Sequence, residues 1–522
     1  MKRARHLRRS QRKQKQDIMK IIRAHGMRVP LVVGMTVALS AGAPATPPSI
    51  TPTVALHSQA VFVGKAASLS VVASGTKPLF YQWRLGGRDV SGQTNSTLTI
   101  AAAQPADEAD YSVVVSNSDG TASSEPFRLF VLPPATNFMK GNFTNTLGAR
   151  LPYFYHLPAN YNPDRRYPLV FNVHGSGWDE RVLPNGFWDW PEVLVFASYQ
   201  QQAKDPAIVV WPTHTAQAGS SSWSSNEVRL IADLLDRLIT ELNVDTNRVY
   251  LTGASAGGGP AMDVAGLRPD LAAAIVVWSG SAGSIPASTI KHVPLWGFQA
   301  DDEGNGAVDF IGRLRAAGGS PISTRYGKGG HDAAIHTGMA CPAMVDWLLA
   351  QRRGQTTPPS LSITGPTSEP VRKTGASSID LVGSAEGFGP EVARVSWENT
   401  TSRIRRSASG TSLWTANALP LVSDKTNVIV VIATMNTAWA PAYGGITTFN
   451  DTMTVICSPV RVTVTLQGTD AILNWSGGVL PYRVQRATDL ASGDWKEVLT
   501  NAVPPIALTL ERRAEFYRIV GE

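Results

Sequence analysis

Gly253-Ala254-Ser255-Ala256-Gly257 is the only G-x-S-x-G run in the 522 residues of the chain. A serine between small residues suits a sharp strand-to-helix turn that lifts its hydroxyl out of the backbone. A hydroxyl is a weak nucleophile unless a base takes its proton and an acid orients that base. Downstream, Gln299-Ala300-Asp301-Asp302-Glu303 supplies the acids, and Tyr326-Gly327-Lys328-Gly329-Gly330-His331-Asp332 supplies a histidine. The expected set is Ser255 as nucleophile, His331 as base and Asp302 as orienting acid. Asp301 and Glu303 stand beside it as alternative acids, and His336 as the rival base. The acidic cluster with Asn305 lacks the regular spacing of a calcium loop, so no metal is expected. No cofactor is expected either.

These residues need strands and helices to bring them together. Tyr167–His174, Ala207–Trp211, Arg248–Thr252, Ala273–Trp278 and Val293–Phe298 are short apolar runs, the pattern of strands buried on both faces. Between two of them, Ser224 and Glu227 form a capping box. Val228, Ile231, Leu235, Leu238 and Leu242 follow helical spacing behind it. Ser255 directly follows the strand Arg248–Thr252 and precedes a helix-compatible run from Ala256 to Leu267. The acidic cluster follows the end of another strand, and His331 is expected in a loop before a helix Ala343–Leu349. Alternating strands and helices over residues 137–353 predict an α/β domain around a mainly parallel sheet. A developing oxyanion needs N–H donors. The amide of Ala256 is one candidate, and the loop His174-Gly175-Ser176-Gly177-Trp178 offers the Ser176 amide as the second. Trp178, beside that loop, is the expected substrate-pocket residue.

Taken together, Arg166-Tyr167-Pro168-Leu169-Val170, the His-Gly-Ser-Gly loop, Asp245 through Gly253, the elbow around Ser255, Pro269-Asp270 and the Gly-Gly-His-Asp loop resemble secreted α/β-hydrolases. That group includes feruloyl and acetyl-xylan esterases, polyhydroxybutyrate depolymerases and related predicted peptidases. The resemblance implies the α/β-hydrolase fold, a serine-esterase mechanism and the chain order serine, acid, histidine, which Ser255, Asp302 and His331 satisfy. One departure stands out: Gln299-Ala300 occupy the region where many relatives carry His-Gly before the acid.

The flanks read as β structure. Residues 49–132 show period-2 segments between turns. Tyr81-Gln82-Trp83 and Asp107-Glu108-Ala109-Asp110-Tyr111 resemble the strand-C tryptophan and tyrosine corner of immunoglobulin domains, with Val71 and Val113 where cysteines would stand. Residues 359–457 predict a second immunoglobulin-like sandwich after a Thr-Thr-Pro-Pro linker. Residues 459–522 resemble a small fibronectin-like unit. The two cysteines, Cys341 and Cys457, are too few for a disulfide framework.

Residues 1–28 hold eleven Lys/Arg against the single acid Asp17. Subtracting this net +10 from the chain's +7 leaves −3 for the rest, which argues against a nucleic-acid partner. The basic stretch, the apolar run Val29–Leu39 and Ala41-Gly42-Ala43 read as a secretory signal within residues 1–45. A secreted, cell-surface or periplasmic bacterial serine esterase is therefore expected, acting on ester-linked plant polysaccharide. Polyhydroxyalkanoate or peptide is the alternative substrate. The flanking sandwiches are expected to contact glycan or a cell surface. The rival reading is a surface binding protein with an inactive hydrolase-like domain.

Overall fold

The computed structural model describes residues 45–51, 58–177, 194–215, 222–304, 306–355, 357, 359–388, 391–436, 445–489, 493–509 and 516–521. Residues 1–44 of the expected signal segment lie outside them. Among the described residues no helix is long and apolar enough to cross a membrane.

Residues 58–132 form an immunoglobulin-like sandwich. One sheet runs Ser58–Phe62, Phe127–Leu132, Ala109–Asn117, Phe80–Leu85; the strands Ala67–Ser70 and Thr97–Ile100 pair opposite it. Trp83 is fully buried and packs on Phe127 with ring centroids 5.6 Å apart. The Tyr111 hydroxyl donates to the Asp107 carbonyl at 3.0 Å, the corner contact expected of that motif. Val71 and Val113 fill the core where a disulfide would otherwise lie.

The central sheet contains β1 (Phe138–Thr144), β2 (Arg150–His156), β3 (Tyr167–Val173), β4 (Ile208–Pro212), β5 (Val244–Ala254), β6 (Ala272–Trp278), β7 (Leu295–Ala300) and β8 (Ile322–Tyr326). Their spatial order is β1-β2-β4-β3-β5-β6-β7-β8. β1 and β2 pair antiparallel, as do β2 and β4, and every pair from β4 to β8 is parallel. Every residue of β3, β4, β6 and β7 is buried, because helices cover both faces. This is the α/β-hydrolase arrangement. The helices that matter below are α1 (Ser225–Glu241), α2 (Gly258–Leu267), α3 (Gly306–Ala316), α4 (Gly330–Met339) and α5 (Pro342–Ala350). The Ser224–Glu227 capping box starts α1, with the serine hydroxyl on the Glu227 amide.

Several elements depart from expectation. β5 begins at Val244, four residues before the expected strand start at Arg248. β1, β2 and β8 were not anticipated. β8, Ile322-Ser-Thr-Arg-Tyr, carries too many polar residues to read as a buried strand. His331 was expected in a loop, but it lies in the first turn of α4. Gly329 at φ 113° and Gly330 at φ 68° let the chain turn abruptly into that helix.

The sheet does not stop at β8. β9 (Val392–Asn399), β10 (Lys425–Asn436) and β11 (Ile446–Cys457) belong to the 359–457 segment, and β11 pairs antiparallel with β8. The order continues β8-β11-β10-β9 as one sheet. At the other flank, the Ser58 hydroxyl donates to the carbonyl of His336 in α4 at 3.2 Å. Arg128 donates to Gln200, whose amide N–H in turn donates to Glu108 at 3.0 Å. The described strands between Arg461 and Val520 form two three-stranded sheets around Leu473, Trp475 and Val484.

Candidate active site

Ser255 stands at the tip of the β5–α2 turn with φ 52°, a left-handed conformation that costs a non-glycine residue energy. The glycines around it have a steric cause. A Cβ on Gly253 would strike the Gly257 carbonyl, and one on Gly257 would strike the carbonyls of Val173 and His174. The turn therefore closes only with glycine at both positions, and the serine hydroxyl is pushed outward.

His331 Nε2 lies 2.9 Å from Ser255 Oγ. Its other nitrogen, Nδ1, lies 2.8 Å from Glu303 Oε2. Glu303 Oε1 accepts from the Ser279 hydroxyl at 2.7 Å and from the Ala300 amide at 2.8 Å. The geometry thus corrects the expected acid: Glu303, not Asp302, meets the histidine. Asp302 is fully exposed, and its carboxylate accepts from the amides of Gly329 at 3.1 Å and Gly330 at 2.9 Å. Asp301 pairs with Arg325. The physical reason is the phase of the turn after β7. Asp301 and Asp302 fall on its outer side, and the chain comes back on itself at Glu303. Gln299, standing where His-Gly was noted as missing, closes this turn: its amide group donates to the Gly304 carbonyl and accepts from Val308 N–H at 3.1 Å.

His336, the rival base, is buried in the next turns of α4 against Ser58. Burial holds its imidazole below the ordinary range. The Glu303 hydrogen bond raises the pKa of His331 against an opposing effect of partial burial, and the charges of Glu303 and Asp332 add to the rise. Burial pushes Glu303 upward, but the hydrogen bonds from His331, the Ala300 amide and Ser279 outweigh it and hold the carboxyl below its usual value.

Ser279 was not anticipated. It sits just past β6 with φ 44°, is buried, and its hydroxyl lies 2.7 Å from Glu303 and 3.1 Å from the His331 carbonyl. Its place after a predicted strand end was the only available signal. A strained non-glycine residue bridging acid and base fits the tendency of such strain to cluster at functional sites.

The expected oxyanion loop packs on Ser255: a Cβ on Gly175 would come 3.1 Å from Ser255 Cβ. Ser176 follows it, with Gly177 at φ 89° turning the chain. Ala256 follows Ser255 in a 3-10 turn leading into α2. Behind the loop, the Trp223 indole N–H donates to the His174 carbonyl at 3.0 Å. His214 lies against that indole with ring centroids 4.1 Å apart, and its Nδ1 is 2.8 Å from Glu227 Oε1. Burial would raise the Glu227 pKa. Hydrogen bonds from His214 and Ser224 instead push it down to about 2. Glu227 was read only as a helix cap; its second oxygen serves the site's support. Trp178, the expected pocket residue, lies outside the described residues, as do Trp188 and Trp190. Among the described residues, no group of three or more His, Cys, Asp or Glu side chains is placed to hold a metal.

Residues 144–342, which carry Ser255, Glu303 and His331, match the family described as putative esterase. Residues 47–117 match the family described as immunoglobulin domain. Among curated proteins, a probable feruloyl esterase C of Aspergillus flavus is 28% identical over 143 residues, 27% of this chain and 50% of that protein. A poly(3-hydroxybutyrate) depolymerase of Ralstonia pickettii is 27% identical over 169 residues, 30% of this chain and 34% of that protein. The chain thus spans half or less of the length of these two curated relatives. Among solved structures, a thermostable esterase aligns over 57% of this chain and 99% of its own at 20% identity and a TM-score of 0.39.

Proposed function

We propose that the protein hydrolyses carboxylic esters through a covalent acyl-enzyme. Ser255 Oγ attacks the ester carbonyl carbon while its proton passes to His331 Nε2. Glu303 holds the imidazole by Nδ1 and stabilises the imidazolium that forms. The tetrahedral oxyanion is taken by the amides of Ala256 and Ser176. Collapse breaks the bond to the alcohol, which leaves with the proton from His331. Water then repeats the sequence on the acyl-serine and frees the carboxylic acid.

The observation that carries this reading is the unbroken contact chain from a strained Ser255 through His331 to Glu303. The esterase-family match across the same residues supports it. The favoured substrates are feruloyl or acetyl esters on plant polysaccharide, supported by the feruloyl esterases among the curated relatives. Trp178 is assigned to the acyl or sugar side of the pocket. Residues 1–45 are assigned to export and the flanking sandwiches to glycan or surface contact. The depolymerase relative supports poly(3-hydroxybutyrate) as the second substrate reading.

The full-length protein is tested on p-nitrophenyl acetate, methyl ferulate and a poly(3-hydroxybutyrate) film, with Ser255→Ala alongside. Turnover lost in the variant, with fluorophosphonate labelling lost as well, is the expected result. Equal turnover in the two proteins would overturn the scheme. The preferred ester selects between the substrate readings.

A further inference from the structure

Glu303 sits in the connection between β7 and α3, and His331 in the first turn of α4, at the end of the next β–α connection. Of the elements around these two residues, β7, β8 and α3 are tied from outside the catalytic sheet by one strand, β11. Without β11, β8 would be the sheet's edge, a row of unpaired peptide groups. β11 covers that edge in antiparallel register, with Ser323 opposite Thr448, Thr324 opposite Thr447 and Arg325 opposite Ile446.

Side chains tie the same elements together. The Trp296 indole N–H of β7 donates to Thr324 Oγ1 of β8 at 2.8 Å, and that hydroxyl lies 2.7 Å from Thr447 Oγ1 of β11. All three residues are buried. A second tie runs from α3. Arg315 Nε donates to Asn450 Oδ1 at 2.8 Å, and its guanidinium reaches Thr448 Oγ1 at 3.3 Å. Asn450, 1% exposed, also donates to the Gly319 carbonyl at 3.3 Å. Burial alone pulls the Arg315 pKa down to about 10, so the oxygens that β11 supplies matter to a cation held away from water. β11 is itself braced along its whole length by β10.

We propose that β11 of the 359–457 segment is part of the catalytic unit, with Thr447 and Asn450 as positioning residues that fix the spacing between Glu303 and His331. This rests on the proposed roles of those two groups in ester hydrolysis. A sandwich so joined is a fixed extension of the catalytic sheet rather than a module swinging on its linker. A displacement of about an ångström at an acid–base pair, even one caused far from the chemistry, is enough to lower turnover.

The test uses full-length protein carrying Asn450→Ala, Thr447→Val, or Asn450→Asp, which restores an oxygen to Arg315. Steady-state kinetics on p-nitrophenyl acetate and hydrogen exchange of the segments around 301–304 and 322–335 are measured. The expected result for Asn450→Ala is a fall in kcat of about tenfold with KM unchanged, faster exchange in both segments, and recovery in Asn450→Asp. The acidic limb of the pH profile should move to lower pH as Glu303 loosens from His331. Asp332 on α4 is the other charge that acts on that imidazole, and Asp302 sits on the Gly329 and Gly330 amides just before it. Wild-type kcat, pH profile and exchange in the variants would overturn the inference. If Asn450→Ala fails to fold, Thr447→Val, which keeps the strand pairing, is read in the same way. If the unmodified protein hydrolyses no ester, the proposed function fails. Hydrogen exchange still decides this inference, and unchanged exchange in both segments overturns it.

Discussion

Glu303 Oε2 lies 2.8 Å from His331 Nδ1, while the adjacent Asp302 turns away and caps the start of the helix that carries His331. Two neighbouring carboxylates thus support one histidine in different ways. Glu303 touches the imidazole, and Asp302 fixes the backbone from which it projects.

Substitution separates these roles. Glu303→Ala should lower kcat by about 10⁴, the order expected for loss of an orienting acid. Asp302→Ala should cost less than about tenfold, because solvent can replace an exposed carboxylate on two amides. The check is kcat/KM on p-nitrophenyl acetate for both variants. A larger loss in Asp302→Ala would return the acid's role to Asp302.

Activity and pair stability should run in opposite directions with pH. His331 must be neutral to accept the Ser255 proton, so the acidic limb of kcat/KM should lie above the ordinary histidine value of 6.5. For stability, the raised His331 pKa contributes most below 6.5, and its share is lost as pH rises through the folded value. The depressed Glu303 pKa contributes above the ordinary 4.5, and its share is lost as pH falls through the folded value. The pair therefore stabilises most between these ordinary values. Melting temperatures of wild type and Glu303→Gln across pH 4 to 9 should differ most in that window, and the difference should narrow on either side of it. The variant's acidic limb should fall toward or below the ordinary value.

Ser279→Ala removes the hydroxyl from Glu303 while the Ala300 amide remains. The expected loss is about 1 kcal/mol of stability and a fall in kcat of about tenfold. Ser279→Gly relieves the φ 44° strain and should be more stable than the alanine variant without recovering its kcat. Chemical denaturation and kinetics of both variants check this.

Trp223→Phe keeps a ring against His214 but deletes the hydrogen bond to the His174 carbonyl behind the oxyanion loop. We expect kcat to fall by up to about 10² with KM little changed, since a displaced donor weakens only the transition state. A boronic acid inhibitor should lose affinity in parallel. A rise in KM at constant kcat would instead make Trp223 a substrate contact.

Gly257→Ala should abolish soluble active protein or cost at least about 1–3 kcal/mol. The added methyl would strike the Val173 and His174 carbonyls of the neighbouring strand end. Ser255→Ala, which meets no such clash, should fold normally, and circular dichroism separates the two cases.

Much of this molecule is legible from local pattern. The buried strands announce themselves as apolar runs, α1 by its cap and periodicity, and the Ser255 elbow by glycines that sterics demand. His331 is found by its place downstream of the serine and the acidic cluster. What stayed hidden depends on how backbone directions add up over distance. Asp301, Asp302 and Glu303 are equivalent in one dimension, and only the turn closed by Gln299 decides which carboxylate faces the imidazole. Ser279 acquires its place because β6 ends beside β7 in space, which no local signal records. β8 is polar enough to escape notice because part of its hydrogen bonding is met by β11, more than 100 residues away. Periodicity and motif marked most of the elements and the proposed nucleophile. The acid, its supports and the joining of two modules into one sheet were decided by tertiary packing, since each depends on directions and contacts between segments far apart in the chain.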